Sequence, residues 1–203
     1  MAKAKRDIIL RDRLQFTLDA SADLGLVYGR IDLSDYTNVV QKRGLMVKDI
    51  FLQVRNPNNV GAGAANTGIW SVLNSDLEPT IGADGYNAWK IFVSTRAYES
   101  ATDVGIASPD VLHIEEYVIS RYHAAAGPTV TSEGYAAAFP MRDYHPGGYP
   151  VVSDLLVGIA VDSNSSDSQY NDGTFEIDIM LIAETTRVTD EQMTQLLTQA
   201  QDL

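Results

Sequence analysis

Apolar side chains along this sequence fall mostly at every second position, in short runs separated by glycine, proline, asparagine and aspartate. Alternation of this kind marks a strand with one buried face, because successive side chains of an extended backbone point to opposite sides. RLQFTLDA sets Leu14, Phe16 and Leu18 on one side, and GRIDLSDY does the same with Ile31 and Leu33. GLMVKDIFLQVRNP reads as one long strand, apolar at Met46, Ile50, Leu52 and Val54 and stopped by Asn56-Pro57. NAWKIFVSTRAY and DVLHIEEYVISRY follow. The second carries Leu112, Ile114 and Val118 on one side and His113 on the other, where it reads as a surface or interface histidine. PVVSDLLVGIAVDS is nearly continuous apolar sequence, the pattern of a strand covered on both faces. TFEIDIMLIAETT places Phe175, Ile177, Ile179 and Leu181 inward and Glu176 and Asp178 outward.

About eight strands result. Long polar or glycine-rich connections join several of them: NPNNVGAGAANTG, HAAAGPTVTSEGYAAAFPMRDYHPGGYP and DSNSSDSQYNDG. Near the C-terminus the period changes. In VTDEQMTQLLTQAQDL, Thr189 stands at an N-cap with Gln192 three residues on, the spacing of a capping box. Met193, Leu196, Leu197 and Ala200 then repeat as the stripe of an amphipathic helix. So short a helix is marginal alone, and its stripe must dock on its own sandwich or on a neighbouring subunit.

The predicted fold class is all-β: an antiparallel β-sandwich, a single jelly roll of about eight strands, with a short C-terminal amphipathic helix. An immunoglobulin-like sandwich is the competitor, but such domains are shorter and have tighter turns. The organisation expected is a basic N-terminal segment at 1–13, a sandwich at 14–188 and a helix at 189–203.

Composition narrows the chemistry. The 203 residues contain no cysteine, which excludes disulfides, thiolate catalysis and cysteine-ligated metals. No stretch is long and apolar enough for a membrane-spanning helix, and Ile8-Ile9-Leu10 is too short for a secretory signal. Three histidines occur, His113, His123 and His145, in none of the spacings of a zinc protease, and no nucleophile elbow is present. His123 and His145 flank the long central connection, where Pro146 and two glycines indicate a plain turn. DSNSSDSQYNDG has oxygen ligands at alternate positions, yet Asp167 and Gly173 stand where a calcium loop needs Gly and Glu. A solvated loop is the reading there, with an irregular structural cation near Asp162, Asp167 and Asp172 as its alternative. Glu115 and Glu116 are adjacent on a strand and face opposite ways, so they cannot converge on one substrate. The expectation is a protein that is not an enzyme, needs no cofactor and takes no small-molecule substrate.

Charge is unevenly placed. The net charge is −12, yet Lys3, Lys5, Arg6, Arg11 and Arg13 make the first thirteen residues +3 and leave −15 for the rest. An acidic body disfavours nucleic-acid binding as the main activity and suits solubility at high salt. The basic head reads either as a solvated tail or as a contact to a polyanion: packaged genome, anionic lipid headgroups or the acidic face of an adjoining subunit.

The basic leader, the single domain of about eight strands, the long end-loops, the acidic body and the missing catalytic set together resemble one family. It is the single jelly-roll major capsid proteins of tailless icosahedral viruses, in particular the small capsid subunit of membrane-containing viruses of haloarchaea and thermophilic bacteria. The resemblance spans nearly the whole chain, is architectural, and rests on no short motif. It implies a capsid subunit that self-assembles into capsomers, located in the virion, with copies of itself or related capsid subunits as partners and an inner membrane or genome near the basic N-terminus. Tyr117, Tyr122, Tyr135, Tyr144 and Tyr149 suit subunit contacts, since tyrosine covers area while keeping a polar tip. Met193, Leu196 and Leu197 are candidates for the same use. The competing readings are a β-sandwich carbohydrate-binding module and a phage tail or baseplate component. Trp70 and Trp89, the platform candidates of a sugar site, lie in strand-like surroundings that indicate core positions.

Overall fold

The computed structural model describes residues 7–21, 23–57, 85–123, 130–163 and 172–201. Within them nine strands follow in order: β1 Ile8–Thr17, β2 Leu24–Ile31, β3 Arg43–Arg55, β4 Gly85–Ser94, β5 Val111–His123, β6 Val130–Phe139, β7 Tyr149–Val151, β8 Leu155–Ser163 and β9 Thr174–Arg187. They make two antiparallel sheets, one in the order β1-β9-β3-β7 and the other β2-β8-β4-β5-β6. The chain changes sheet at most connections, which is the winding of a jelly roll, with β6 added as an extra edge strand. Helix Asp190–Gln201 closes the chain.

Between the sheets, Phe16 of β1, Trp89 of β4 and Phe175 of β9 form a three-ring cluster with centroids 5.4–5.8 Å apart. The Trp89 Nε1–H donates to Asn87 Oδ1 at 2.8 Å, so the indole is buried without losing its hydrogen bond. Around this cluster the alternation of β9 holds as the pattern requires: Phe175, Ile177, Ile179 and Leu181 are buried, Glu176 and Asp178 face outward.

Elsewhere strict alternation fails for identifiable reasons. In β3 the pairing with β9 shifts between Val47 and Asp49, so Lys48 is an extra residue and the strand changes parity there. Leu45 and Val47 point inward before the bulge, and Ile50 and Val54 after it; Met46, expected with the inward set, lies on the outer side. In β5, Val93, Ile91 and Trp89 pair with His113, Glu115 and Tyr117, so the polar side of that strand is the inner one. His113 is therefore buried at 3% exposure and is not a surface histidine. Ile114 and Val118 face outward, and Leu112 reaches the main core because the β4–β5 register slips beside it.

Two connections also differ from expectation. PVVSDLLVGIAVDS is two strands in different sheets, β7 and β8, and Asp154 marks the crossing by accepting from Leu33 N–H at 2.8 Å and pairing with Arg30. The long central connection contains β6 and a helical turn, Met141–Tyr144. Small residues in EGYAAAF give β6 no apolar rhythm to read. After that turn Gly148 has φ +84°, and a Cβ there would sit 2.8 Å from the Val47 carbonyl oxygen, so the tight turn that leads into β7 needs glycine.

The capping box at the C-terminal helix is formed. Gln192 N–H donates to Thr189 Oγ1 at 3.2 Å, and Thr189 N–H donates to Gln192 Oε1 at 3.2 Å. Met193 is buried against Val152 and Val188, with Leu196 and Leu197 half-buried beside it. The stripe thus docks on its own sandwich.

Candidate interaction faces

The outer face of the four-stranded sheet is built from the residues left pointing away from the core. From β1 come Ile9, Arg11, Arg13 and Gln15, and their β9 partners are Ile182, Met180, Asp178 and Glu176. Arg13 Nε donates to Asp178 Oδ1 at 2.6 Å and lies 3.5 Å from Glu176, while Arg55 on β3 lies 3.3 Å from Asp178 and 3.6 Å from Glu176. Two cations thus bracket two carboxylates across three strands. The hydrogen bond from Arg13, with the arginine charges beside it, holds the Asp178 carboxyl below the ordinary carboxylate range. Further along, Lys48 joins Asp7 at 2.6 Å and Glu184 at 3.2 Å. Between these groups lies an open trough of about 650 Å³, lined by Arg11, Arg13, Phe51, Gln53 and Met180, with Phe51 and Ile9 exposed.

The outer face of the five-stranded sheet is divided in two. One half is roofed by the segment between β4 and β5. Val104 from that segment packs on Phe92, Val111 and Ile114, with Tyr28 and Tyr98 around them, making a second small core. The Tyr28 hydroxyl fastens the roof, donating to the Tyr98 carbonyl at 3.0 Å and accepting from Tyr98 N–H at 2.7 Å. Beyond the roof the sheet is open as a groove of about 470 Å³. Its floor is made of small or apolar residues, among them Ala88, Val118, Ala160 and Leu26, and Tyr135 of β6 stands at its side with 58% exposure. Its charged lining is Glu99, Glu116 and Asp162 against Lys90. Lys90 lies 3.2 Å from Glu116 and also donates to the Val104 carbonyl, and Asp162 accepts from the Tyr86 hydroxyl at 2.9 Å.

The inner face of β5 carries a string that the sequence pattern missed. The Glu115 carboxylate accepts from the Tyr117 hydroxyl at 2.7 Å and lies 3.1 Å from His113 Nε2. Burial, then the hydrogen bond to Glu115, pushes the Tyr117 phenol well up, so it stays a donor. The i, i+2, i+4 spacing His-x-Glu-x-Tyr was the available signal: three polar groups on one strand face can satisfy one another. Glu115 and Glu116 do face opposite ways, the first to this string and the second to Lys90.

The sequence-selected residues fall in separate places. Arg11 and Arg13 are strand residues of β1, so the basic stretch joins the sandwich from residue 8 on, and Arg13 is engaged within its own chain. Lys3, Lys5 and Arg6 lie outside the described residues, as do Trp70, Asp167 and the side chain of Tyr122. Among the described tyrosine side chains, Tyr135 is the one that flanks the groove. The Tyr144 hydroxyl donates to the Phe139 carbonyl at 2.9 Å, burial pushes its pKa up to about 12, and its ring and that of Tyr149 pack on either side of His145. His145 accepts from Gly148 N–H through its carbonyl at 2.8 Å, the turn its neighbours indicated. Asp172 is a left-handed turn residue before β9, and Asp162 faces Tyr86. Among the described residues no group of three or more His, Asp or Glu is placed to hold a metal ion.

No family model and no curated protein matches the chain. Among solved structures it has a likeness to the crystal structure of the Acinetobacter baumannii phage AM24 tailspike protein, at 13% identity and a TM-score of 0.16. That match covers 86% of this chain and 26% of the tailspike chain, so this chain spans about a quarter of its length. A likeness of that degree assigns neither fold nor function.

Proposed function

We propose that this chain is a structural virion protein, a capsid subunit that associates with copies of itself or related subunits into capsomers of a shell. The observation that carries the reading is edge strand β6. It is ten residues long, contains neither lysine nor proline and only one charged residue, Glu133, and is exposed from Glu133 to Ala136, with no described strand on its outer side. A long edge of that kind is a template for further pairing, and monomeric proteins blunt such edges with charge, proline or a covering segment. In an assembly a neighbour covers it. Both broad outer faces, each with ordered polar side chains, suit the same use, since shells gain strength from many moderate contacts repeated by symmetry.

Electron microscopy of purified native material, with light scattering during size-exclusion chromatography, tests this. The expected result is closed particles or rings of defined stoichiometry. A persistent monomer overturns it. One that retained a polysaccharide would favour the carbohydrate-binding reading, for which exposed Tyr135 beside the carboxylates of the groove is the support. Tail-like tubes or spikes would favour a tail component.

A further inference from the structure

We infer that the open groove on the five-stranded sheet is a docking site for the basic segment Ala2–Arg6 of a second copy of this chain. This rests on the shell reading above insofar as it needs copies to meet. The groove has a floor of small apolar side chains and three carboxylates, Glu99, Glu116 and Asp162, against the single cation Lys90. Such a lining is matched by an occupant with several positive charges and little bulk. AKAKR has both: Lys3, Lys5 and Arg6 supply three positive charges, and Ala2 and Ala4 alternate with the lysines. In extended backbone Ala2 and Ala4 fall on one side together with Arg6, and Lys3 and Lys5 on the other. That lets small side chains meet Ala88, Val118 and Ala160 while ammonium groups reach the acidic rim.

Geometry assigns the segment to a neighbour. Phe16 packs on Trp89, whose strand neighbours Ala88 and Lys90 line the groove, so the groove lies level with the Phe16 end of β1. The chain enters β1 at Ile8, eight residues away along the strand and in the opposite sheet. That is roughly 26 Å at about 3.3 Å per residue. Six residues reach at most about 22 Å when fully extended. The segment therefore falls short of the groove of its own chain. A contact from one end of a copy to the other end of the next is head-to-tail, the type that closes into rings when the rotation allows.

The test uses the full chain and a fluorescent synthetic peptide, MAKAKRD. Anisotropy is expected to show binding that weakens with salt and is lost for a peptide with Lys3→Glu and Lys5→Glu. The chain carrying Glu99→Gln, Glu116→Gln and Asp162→Asn together is expected to bind roughly tenfold more weakly, the loss of three partly screened charge contacts. A control chain with Gln53→Glu, on the other sheet, is expected to bind as the parent does. Deleting residues 1–6 is expected to abolish the salt-sensitive part of self-association in light scattering. Peptide binding indifferent to the groove substitutions overturns the inference, as does capture of the peptide by anionic vesicles but not by the protein. If the truncated chain forms the same particles as the full one, the docking inference fails while the shell reading stands. If the full chain never associates yet the peptide binds the groove, the shell reading fails and the groove assignment holds.

Discussion

The two outer faces of this sandwich handle charge in opposite ways. On the four-stranded sheet, Arg13 and Arg55 sit on the strands either side of Glu176 and Asp178, so opposite signs meet across the ladder and cancel locally. On the five-stranded sheet one half is roofed with apolar side chains, and the open half sets three carboxylates around one lysine. Exposed ion pairs contribute little each, so the first face gains modest stability and little attraction for a charged partner. The second retains an excess of one sign over an apolar floor, and an excess is what steers an oppositely charged ligand. Acidic composition alone thus says little about where a protein attracts cations. What matters is which carboxylates are matched across strands.

Substitutions can break or sharpen this contrast. The largest effect is expected under the roof, where Phe92 is fully buried. Phe92→Ala should cost about 3–5 kcal/mol in chemical denaturation, and should loosen the roof that walls the groove. Next is Gly158→Val: a Cβ at Gly158 would lie 2.2 Å from the Phe92 ring, so added bulk overpacks the same place at a cost of about 1–3 kcal/mol, read as a lowered denaturation midpoint. On the other sheet, Asp178→Asn should cost about 0.5–1 kcal/mol at low salt and less at high salt. Its pH dependence has a fixed sign. The folded carboxyl titrates below its ordinary value of 3.8, so its contribution is present above that value and disappears as pH falls through the folded one. The parent should lose stability on acidification in that window by more than the Asn variant does. Least affected is the open groove, where Asp162→Asn should change thermal stability by under about 0.5 kcal/mol, because no cation is paired with that side chain among the described residues. If Asp162→Asn destabilises more than Asp178→Asn, the contrast between the faces is wrong.

Much of the fold was readable locally. Alternation in β9 and the capping box of the C-terminal helix each depend on neighbours within a few residues, and both are formed as the pattern requires. The misreadings share one cause. The bulge at Lys48, the inward turn of His113, Glu115 and Tyr117, and the existence of β6 are all set by a partner strand distant in sequence. β6 carries no apolar rhythm, and only pairing with β5 makes it a strand. The groove was out of reach for the same reason. Glu99, Glu116 and Asp162 lie far apart along the chain, and nothing local joins them.

The sequence by itself determined that this protein is a two-layer β-structure with a capped terminal helix, because side-chain period and helix capping are properties of a few consecutive residues. Tertiary structure alone decided which face of each strand is buried, which carboxylates are matched by arginine and which are left around the groove. Those outcomes depend on strand register, and register is fixed by packing between segments that meet only when the sandwich closes.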